Sequence, residues 1–244
     1  MQITQLNELI YIYQRDSMFV ALDKVFTMEN VLYLGKGALI SLGMAILSLL
    51  IGLVLGVLGA SAKRSRFFIL RAIGNFYVEI IRGTPMLLQI LMLFSVVPSI
   101  YTAITGNVLR INVYLIGIIA MSINSGAYST ELIRSGINGV DKGQWEACET
   151  LGLSSWQTMK LVILPQAFKL IVPPVISEFI TLIKDSSLTS CIGAIELLKA
   201  SQVLGARYYD AMSPYTLAAI FYLIMTISIS YIGKHVEKRL AASD

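Results

Sequence analysis

Five long apolar stretches decide the environment in which this chain can fold. Four of them contain no Asp, Glu, Lys or Arg, namely residues 37–62, 83–109, 111–130 and 211–233. The fifth, 170–195, is interrupted by Glu178, Lys184 and Asp185. A helix rises about 1.5 Å per residue, so about 20 residues cross a hydrocarbon core of roughly 30 Å. The stretches therefore predict membrane-spanning helices.

The composition agrees with this interpretation. Hydrophobic residues make up 56% of the 244 residues and charged residues 14%, whereas soluble domains carry about 25% charged residues. We predict an all-α integral membrane protein with no room for a sizeable soluble domain. Its transmembrane domain covers residues 31–240, with five transmembrane helices at about 33–60, 85–103, 111–134, 161–192 and 211–234.

The segment before the first span, residues 1–30, has a different pattern. Its apolar residues recur at spacings of three and four, beginning with Leu6, Leu9 and Ile10. This pattern predicts an amphipathic helix that lies on the outer membrane surface. A partly disordered leader is the alternative.

The distribution of Lys and Arg predicts the topology. The connections richest in basic residues contain Lys63, Arg64, Arg66, Arg71, Arg134, Lys142, Lys160, Lys234, Lys238 and Arg239. The opposite connections contain mainly Arg110, Lys199 and Arg207. Because the basic side faces the cytoplasm, an odd number of spans places the N-terminus outside and the C-terminus in the cytoplasm.

Residues 66–82 are too charged to span the membrane. We predict an amphipathic helix at the cytoplasmic side, followed by a bend at 83–85, since Pro85 disfavours helix in the residue before it. Glu79 and Arg82 are three residues apart and can pair on one helix face.

The longest polar island, residues 140–160, joins the third and fourth spans. Asp141 is a suitable helix cap, and a short helix from about 144 to 151 would present Trp145, Cys148 and Leu151 at helical spacing. Gly152 would end this helix in the left-handed conformation. Ser154 and Ser155 can then cap the next helix, so the island is a helical knob at a membrane face.

Polar groups inside the spans are costly in lipid unless they are functional or paired. Asn124 and Ser125 lie in the third span, and Glu178, Lys184 and Asp185 lie in the fourth. Lys184 and Asp185 could bind the two ends of a zwitterion, or they could form salt bridges with each other or between spans. Glu178 could bind a cation or pack as a protonated acid. Glu131 could pair with Arg134.

Four ordered motifs resemble those of one family. They are residues 76–85 (Phe-Tyr-Val-Glu-Ile-Ile-Arg-Gly-Thr-Pro) with Gln89 following, residues 127–134 (Ala-Tyr-Ser-Thr-Glu-Leu-Ile-Arg), the series Glu146-Ala147, Gly152 and Leu164-Pro165, and residues 183–188 (Ile-Lys-Asp-Ser-Ser-Leu). The chain is similar to binding-protein-dependent ABC transporter permeases of the histidine/glutamine/arginine type, whose EAA loop the third motif resembles. It departs from the family pattern at Cys148, Val162, Ser177 and Ser186.

The resemblance implies a subunit of an ATP-driven importer in the bacterial cytoplasmic membrane. Its implied partners are two ATP-binding subunits, a second permease subunit in a homodimer, a solute-binding protein and a polar amino acid. The partner ATPase would bind ATP and Mg, because this chain has no phosphate-binding glycine loop. The implied ATPase-coupling residues are Trp145, Glu146, Ala147, Cys148, Leu151 and Gly152. The implied substrate path contains Asn124, Ser125, Glu178, Lys184, Asp185, Ser186, Ser187 and Leu188.

Two other classes of function are alternatives for a chain of this composition. A stand-alone secondary amino acid transporter is the main alternative, although the sequence shows no internal repeat of its spans. A membrane enzyme would need a catalytic or metal-binding constellation, and the sequence shows none. His235, the single histidine, lies beside lysines at the end of the last span. No basic run with interleaved aromatics suggests nucleic acid, and the two cysteines are predicted to be free thiols.

Overall fold

Helices account for all regular structure in the part of the chain that the structure describes. The computed structural model describes residues 24–241, so most of the predicted leader lies outside the described residues. The helices are α1 (Met28–Lys63), α2 (Phe68–Gly83), α3 (Met86–Thr105), α4 (Val113–Asn138), α5 (Lys142–Thr150), α6 (Ser155–Ile192), α7 (Leu197–Tyr208) and α8 (Met212–Ala241).

Four of these helices, α1, α3, α6 and α8, are long and apolar enough to cross a membrane. The predicted third span corresponds to α4, which has 26 residues but is not one of these four. Half of the residues of α4 are buried, because α1, α2, α3 and α6 pack around it. A helix that is covered by protein need not be apolar all round. The first helix begins at Met28, slightly before the predicted start of the transmembrane domain.

Small residues bring the backbones of α1 and α4 into contact. Gly52 faces Ser125, and Gly56 faces Ser129. A Cβ atom added at Gly52 would lie 2.8 Å from the Cβ of Ser125, so no larger residue fits without a shift. The small-residue spacing in α1 therefore serves close helix packing, as in many membrane bundles.

The break between α2 and α3 falls where the proline predicts it. The helix α2 ends at Gly83, Thr84 is extended and Pro85 precedes α3. Apolar residues such as Phe68, Ile73 and Phe76 remain exposed along α2. This break brings the end of α2 beside α4.

The helix α6 is irregular near both ends. A π-helical segment, Thr158–Ile163, follows its first turn, and a 3₁₀ segment, Ser186–Ile192, forms its end. Gly193, with φ of 90°, stops the chain from continuing as a helix. Segments of π-helix are rare and occur often at functional sites.

The helix α7 is the element that the apolar pattern does not predict. The buried carboxylate of Glu196 caps it by accepting hydrogen bonds from the N–H groups of Leu198 and Lys199, at 2.9 and 2.8 Å. The same carboxylate accepts hydrogen bonds from Ser41 and Tyr222, at 3.2 and 3.1 Å. Burial raises the pKa of this carboxyl above its ordinary value. Glu196 thereby joins α7 to α1 and α8.

The close packing of α1 on α4 yields a matched pair of substitutions. A Cβ atom at Gly56 would lie 3.0 Å from the backbone carbonyl carbon of Ser129, whereas one at Gly43 meets nothing within 4 Å. We expect Gly56→Ala to destabilise the protein by about 1–3 kcal/mol through overpacking, while Gly43→Ala does not destabilise it and raises stability by up to about 1 kcal/mol, since alanine is the better helix former. Thermal unfolding of the detergent-solubilised protein measures both. Equal unfolding temperatures would contradict the packing described above.

Candidate functional site

A cavity of about 510 Å³ opens where the break between α2 and α3 meets α4 and α6. Its walls are residues 82–86, Asn124 and Tyr128 of α4, and Glu178, Thr181 and Asp185 of α6. The volume lies within the range of roughly 300–1,000 Å³ that small-molecule sites occupy. The cavity can therefore hold a ligand the size of an amino acid.

One wall of the cavity is cationic. The guanidinium carbon of Arg82 lies 5.0 Å from the centre of the Tyr128 ring, a cation–π geometry that orients the side chain. Within residues 24–241, Arg82 forms no ion pair with a carboxylate, and its expected pair with Glu79 is wrong. Its N–H donors are therefore available to an anionic group.

The opposite charge comes from α6. Glu178, Thr181 and Asp185 are spaced by three and four residues, so they share one face of the helix, and all three line the cavity. Glu178 and Asp185 are partly buried. A cavity with a guanidinium and two carboxyl groups suits a ligand that carries both charges.

Asn124 contributes an amide to the same cavity. It is only 8% exposed, and its Nδ2 donates a hydrogen bond to Oε1 of Gln89 at 3.0 Å. Gln89 belongs to a motif noted in the sequence, but the motif assigned it no role. Sequence reasoning assigned no site role to the cavity-lining polar residues Arg82, Thr84, Tyr128 and Thr181, nor to Gln89, although Gly83-Thr84-Pro85 marks the break that places Arg82 and Gln89.

Two predicted path residues lie away from the cavity. Ser125 is fully buried and packs against Gly52 of α1. Lys184 is exposed and is not part of the cavity wall. Among the described residues, Lys184 forms no ion pair with Asp185. The structure thus places Asn124, Glu178 and Asp185 in the cavity wall, whereas Ser125 and Lys184 do not line it.

The predicted path residues 186–188 form the start of the 3₁₀ segment that ends α6. Ser186 is buried and donates its hydroxyl to the carbonyl oxygen of Ile183 at 2.7 Å. Ser187 is partly buried, and Leu188 packs against the apolar cluster around Ile90. These three residues lie beyond the cavity wall.

A charged cluster ties α1 to α4 at the end of the bundle that carries α5. Glu131 accepts hydrogen bonds from Lys63 at 2.6 Å and from Arg134 at 2.7 Å. The predicted pair of Glu131 with Arg134 is confirmed, and Lys63 is its additional partner. The cluster lies seven residues before the end of α4.

The polar island forms the predicted knob. Asp141 caps α5 by accepting a hydrogen bond from the N–H of Gly143 at 2.7 Å. Gly152, with φ of 70°, ends the turn, and Ser154 with Gln157 forms a capping box at the start of α6. The helix–glycine turn–helix arrangement of the island is therefore confirmed.

Trp145, Cys148 and Leu151 do not form the single face that helical spacing suggested. Trp145 packs against the cluster of Ile137, Val140, Ile163 and Ala167. Cys148 is 3% exposed and Leu151 is 76% exposed. The reason is that α5 ends at Thr150 and its inner side is covered by the neighbouring helices. Glu146 and Ala147 are exposed on the outer side.

A membrane helix bundle that encloses a charged cavity and carries a docked polar helix at one end has the construction of a membrane permease. Comparison with known proteins narrows this class. Residues 48–242 match the family model described as "Binding-protein-dependent transport system inner membrane component". The chain therefore belongs to this family of transport subunits.

Individual relatives agree with the family. The arginine transport system permease protein ArtQ of Bacillus subtilis is 34% identical over 223 residues, 91% of this chain and 99% of that protein. The glutamine transport system permease protein GlnP of Escherichia coli is 35% identical over 205 residues, 84% of this chain and 91% of that protein. The crystal structure of an amino acid ABC transporter with histidines superimposes with a TM-score of 0.80 at 33% identity, covering 86% of this chain and 95% of that one.

The charged cluster around Glu131 provides a stability test. We expect Glu131→Ala to lower the free energy of unfolding by about 1.5–3 kcal/mol, the usual contribution of hydrogen bonds to charged groups. Glu79→Ala, at an exposed carboxylate without an ion pair among the described residues, is the control and leaves stability unchanged. Thermal unfolding of both purified variants is the measurement. Equal unfolding temperatures would show that the cluster adds no stability.

Proposed function

We propose that this chain is the permease subunit of an ATP-driven importer that moves a polar amino acid across a bacterial cytoplasmic membrane by alternating access. The observation that carries the proposal is the cavity that Arg82 shares with Glu178 and Asp185 in a chain of the permease family. An amino acid carries a carboxylate and an ammonium group, and this cavity offers a partner to each.

The cavity residues have distinct proposed roles. Arg82 binds the substrate carboxylate, because a guanidinium can donate two parallel hydrogen bonds to it. Glu178, Asp185 and the carbonyl oxygen of Asn124 accept hydrogen bonds from the ammonium group and from a cationic side chain. Two carboxyl groups against one guanidinium favour a cationic amino acid over glutamine or cystine.

The remaining predicted path residues support the site. Ser125 provides the small surface on which α1 packs, and residues 186–188 form the turn that ends the acidic helix. Lys184 is exposed on α6 and does not line the cavity. We therefore narrow the contacts with substrate to Asn124, Glu178 and Asp185 and add Arg82.

We further propose that α5 is the coupling helix that meets the ATPase subunit. Glu146, Ala147, Leu151 and Gly152 are exposed and would contact the partner. Trp145 is partly buried and Cys148 is buried, so they would anchor α5 to the permease itself and transmit its movement rather than touch the partner.

The assembly that fits this function has two permease subunits, in a homodimer, above two ATPase subunits. The helix α3 supports this arrangement, since Ile90 is its single buried residue and much of its apolar surface is uncovered. ATP and Mg would bind to the ATPase, and an extracellular binding protein would deliver the amino acid. The chain itself would perform no catalysis.

The proposed topology has five spans, α1, α3, α4, α6 and α8. The N-terminus lies outside and the C-terminus in the cytoplasm, on the same side as α5. Residues 1–30 would form the amphipathic leader, except that its last residues join α1. Orientation follows from the basic residues around α5 and at the end of α8.

Substitution of the cationic wall tests the substrate site. We expect Arg82→Ala to weaken amino acid binding about 10- to 100-fold, which corresponds to the loss of a charged hydrogen-bonded pair. Arg71→Ala, at an exposed arginine of the same helix, is the control. For both variants, the concentration dependence of arginine and glutamine uptake is measured in proteoliposomes that contain permease, ATPase and binding protein. Uptake without ATP by the permease alone would favour the secondary transporter.

Substitution of the glycine turn tests coupling. We expect Gly152→Trp to reduce transport more than tenfold while ATP hydrolysis continues, because the bulky residue obstructs the interface with the ATPase. Gly106→Trp is a matched control, since Gly106 also has a positive φ, of 72°, and nothing within 4 Å, but lies at the end of α3. The measurement is the number of amino acids transported per ATP hydrolysed. Normal coupling in an assembled Gly152→Trp complex would contradict the proposal.

A further inference from the structure

The break between α2 and α3 leaves backbone carbonyl groups without helical donors. In a continuous helix, the carbonyl oxygen of Ile81 would accept a hydrogen bond from the N–H of residue 85. Residue 85 is proline, which has no N–H. The carbonyl oxygen of Thr84 also precedes α3 and receives no intrahelical bond. Partly buried carbonyl groups of this kind need another donor.

Gln89 supplies that donor from the next turn. Its Nε2 donates to the carbonyl oxygen of Ile81 at 2.8 Å and to that of Thr84 at 3.1 Å. The same Nε2 lies 2.8 Å from the hydroxyl of Thr84. Since three acceptors surround the amide nitrogen, the side-chain oxygen of Gln89 must point the other way.

The orientation of Gln89 determines that of Asn124. The Oε1 atom of Gln89 accepts a hydrogen bond from Nδ2 of Asn124 at 3.0 Å. An asparagine amide has nearly the same shape when its oxygen and nitrogen are exchanged, so its neighbours decide which atom faces a ligand. Here the nitrogen of Asn124 is used by Gln89. Its oxygen forms no hydrogen bond with any described residue, although Asn124 lines the cavity.

We propose that Gln89 is a positioning residue for amino acid recognition, which holds the carbonyl oxygen of Asn124 as an acceptor for the ammonium group of the substrate. This inference rests on the proposed amino acid site. Gln89 does not touch the substrate. It links the proline break, next to Arg82, to the side-chain amide of Asn124 on α4. The position of the Asn124 carbonyl oxygen relative to Arg82 is thereby fixed.

The test separates positioning from a merely structural role by using three ligands. They are arginine, its analogue without the α-amino group (5-guanidinopentanoate) and its analogue without the carboxylate (agmatine). Binding of each radiolabelled ligand is measured on the purified permease–ATPase complex. For Gln89→Leu we expect arginine and agmatine, which keep the ammonium group, to bind about tenfold more weakly. Binding of 5-guanidinopentanoate is unchanged.

A double substitution tests whether Gln89 acts through Asn124. If Gln89 acts through Asn124, the variant with both Gln89→Leu and Asn124→Ala binds arginine no more weakly than Asn124→Ala alone, since coupled residues are not additive. Gln202→Leu, the same chemical change in α7, is the control. If the Gln89→Leu complex does not assemble, Gln89→Asn keeps the amide but shortens its reach, and the same pattern is expected at reduced size.

The outcomes are distinct. An equal loss for all three ligands, additive losses in the double variant, or wild-type binding by Gln89→Leu would each overturn the positioning role while the amino acid site stands. A wild-type complex that binds neither arginine nor glutamine would instead overturn the proposed function.

Discussion

The structure depends on covering the polar side chains of one central helix with protein. The helix α4 carries Asn124, Ser125, Ser129 and Glu131, which lipid cannot hydrate. Four other helices surround it, and the glycines of α1 allow the closest of these contacts. Protein packing thereby replaces apolar sequence as the condition for placing α4 in the bundle. The same packing leaves one side of α4 open to the cavity.

Irregular backbone is tolerated in a membrane protein where it lines a cavity and finds new hydrogen-bond partners. The break before Pro85 meets both conditions. It ends α2 so that Arg82 reaches the cavity, and Gln89 donates hydrogen bonds to the carbonyl groups that the break leaves without helical donors. One proline thus creates both the cationic wall and the need for the amide that reaches α4.

Much of the fold follows from the sequence because hydropathy and capping act locally. The positions of α1, α3, α6 and α8 follow from apolar length, and the turn at Gly152 follows from a capping rule. The set of residues that line the cavity cannot be derived in this way, because it depends on which faces of separate helices meet. Lys184 and Asp185 are adjacent in sequence but point about 100° apart around a helix, so only Asp185 reaches the cavity. Helical spacing could not show that Trp145 packs inward, because the side of α5 that α6 covers cannot be inferred from spacing.

The short connection between α4 and α5 has a mechanical consequence. Residues 139–141 separate the two helices, and Asp141 caps the second. The connection is therefore too short for α5 to move far independently of α4. Asn124 lies 14 residues before Asn138 at the end of α4, a distance of about 21 Å along the axis. If α4 pivots as a rigid rod near Asn124, a tilt of about 10° moves its far end by about 4 Å. Displacement of α5 and rotation of α4 beside the cavity would then be parts of the same rigid movement.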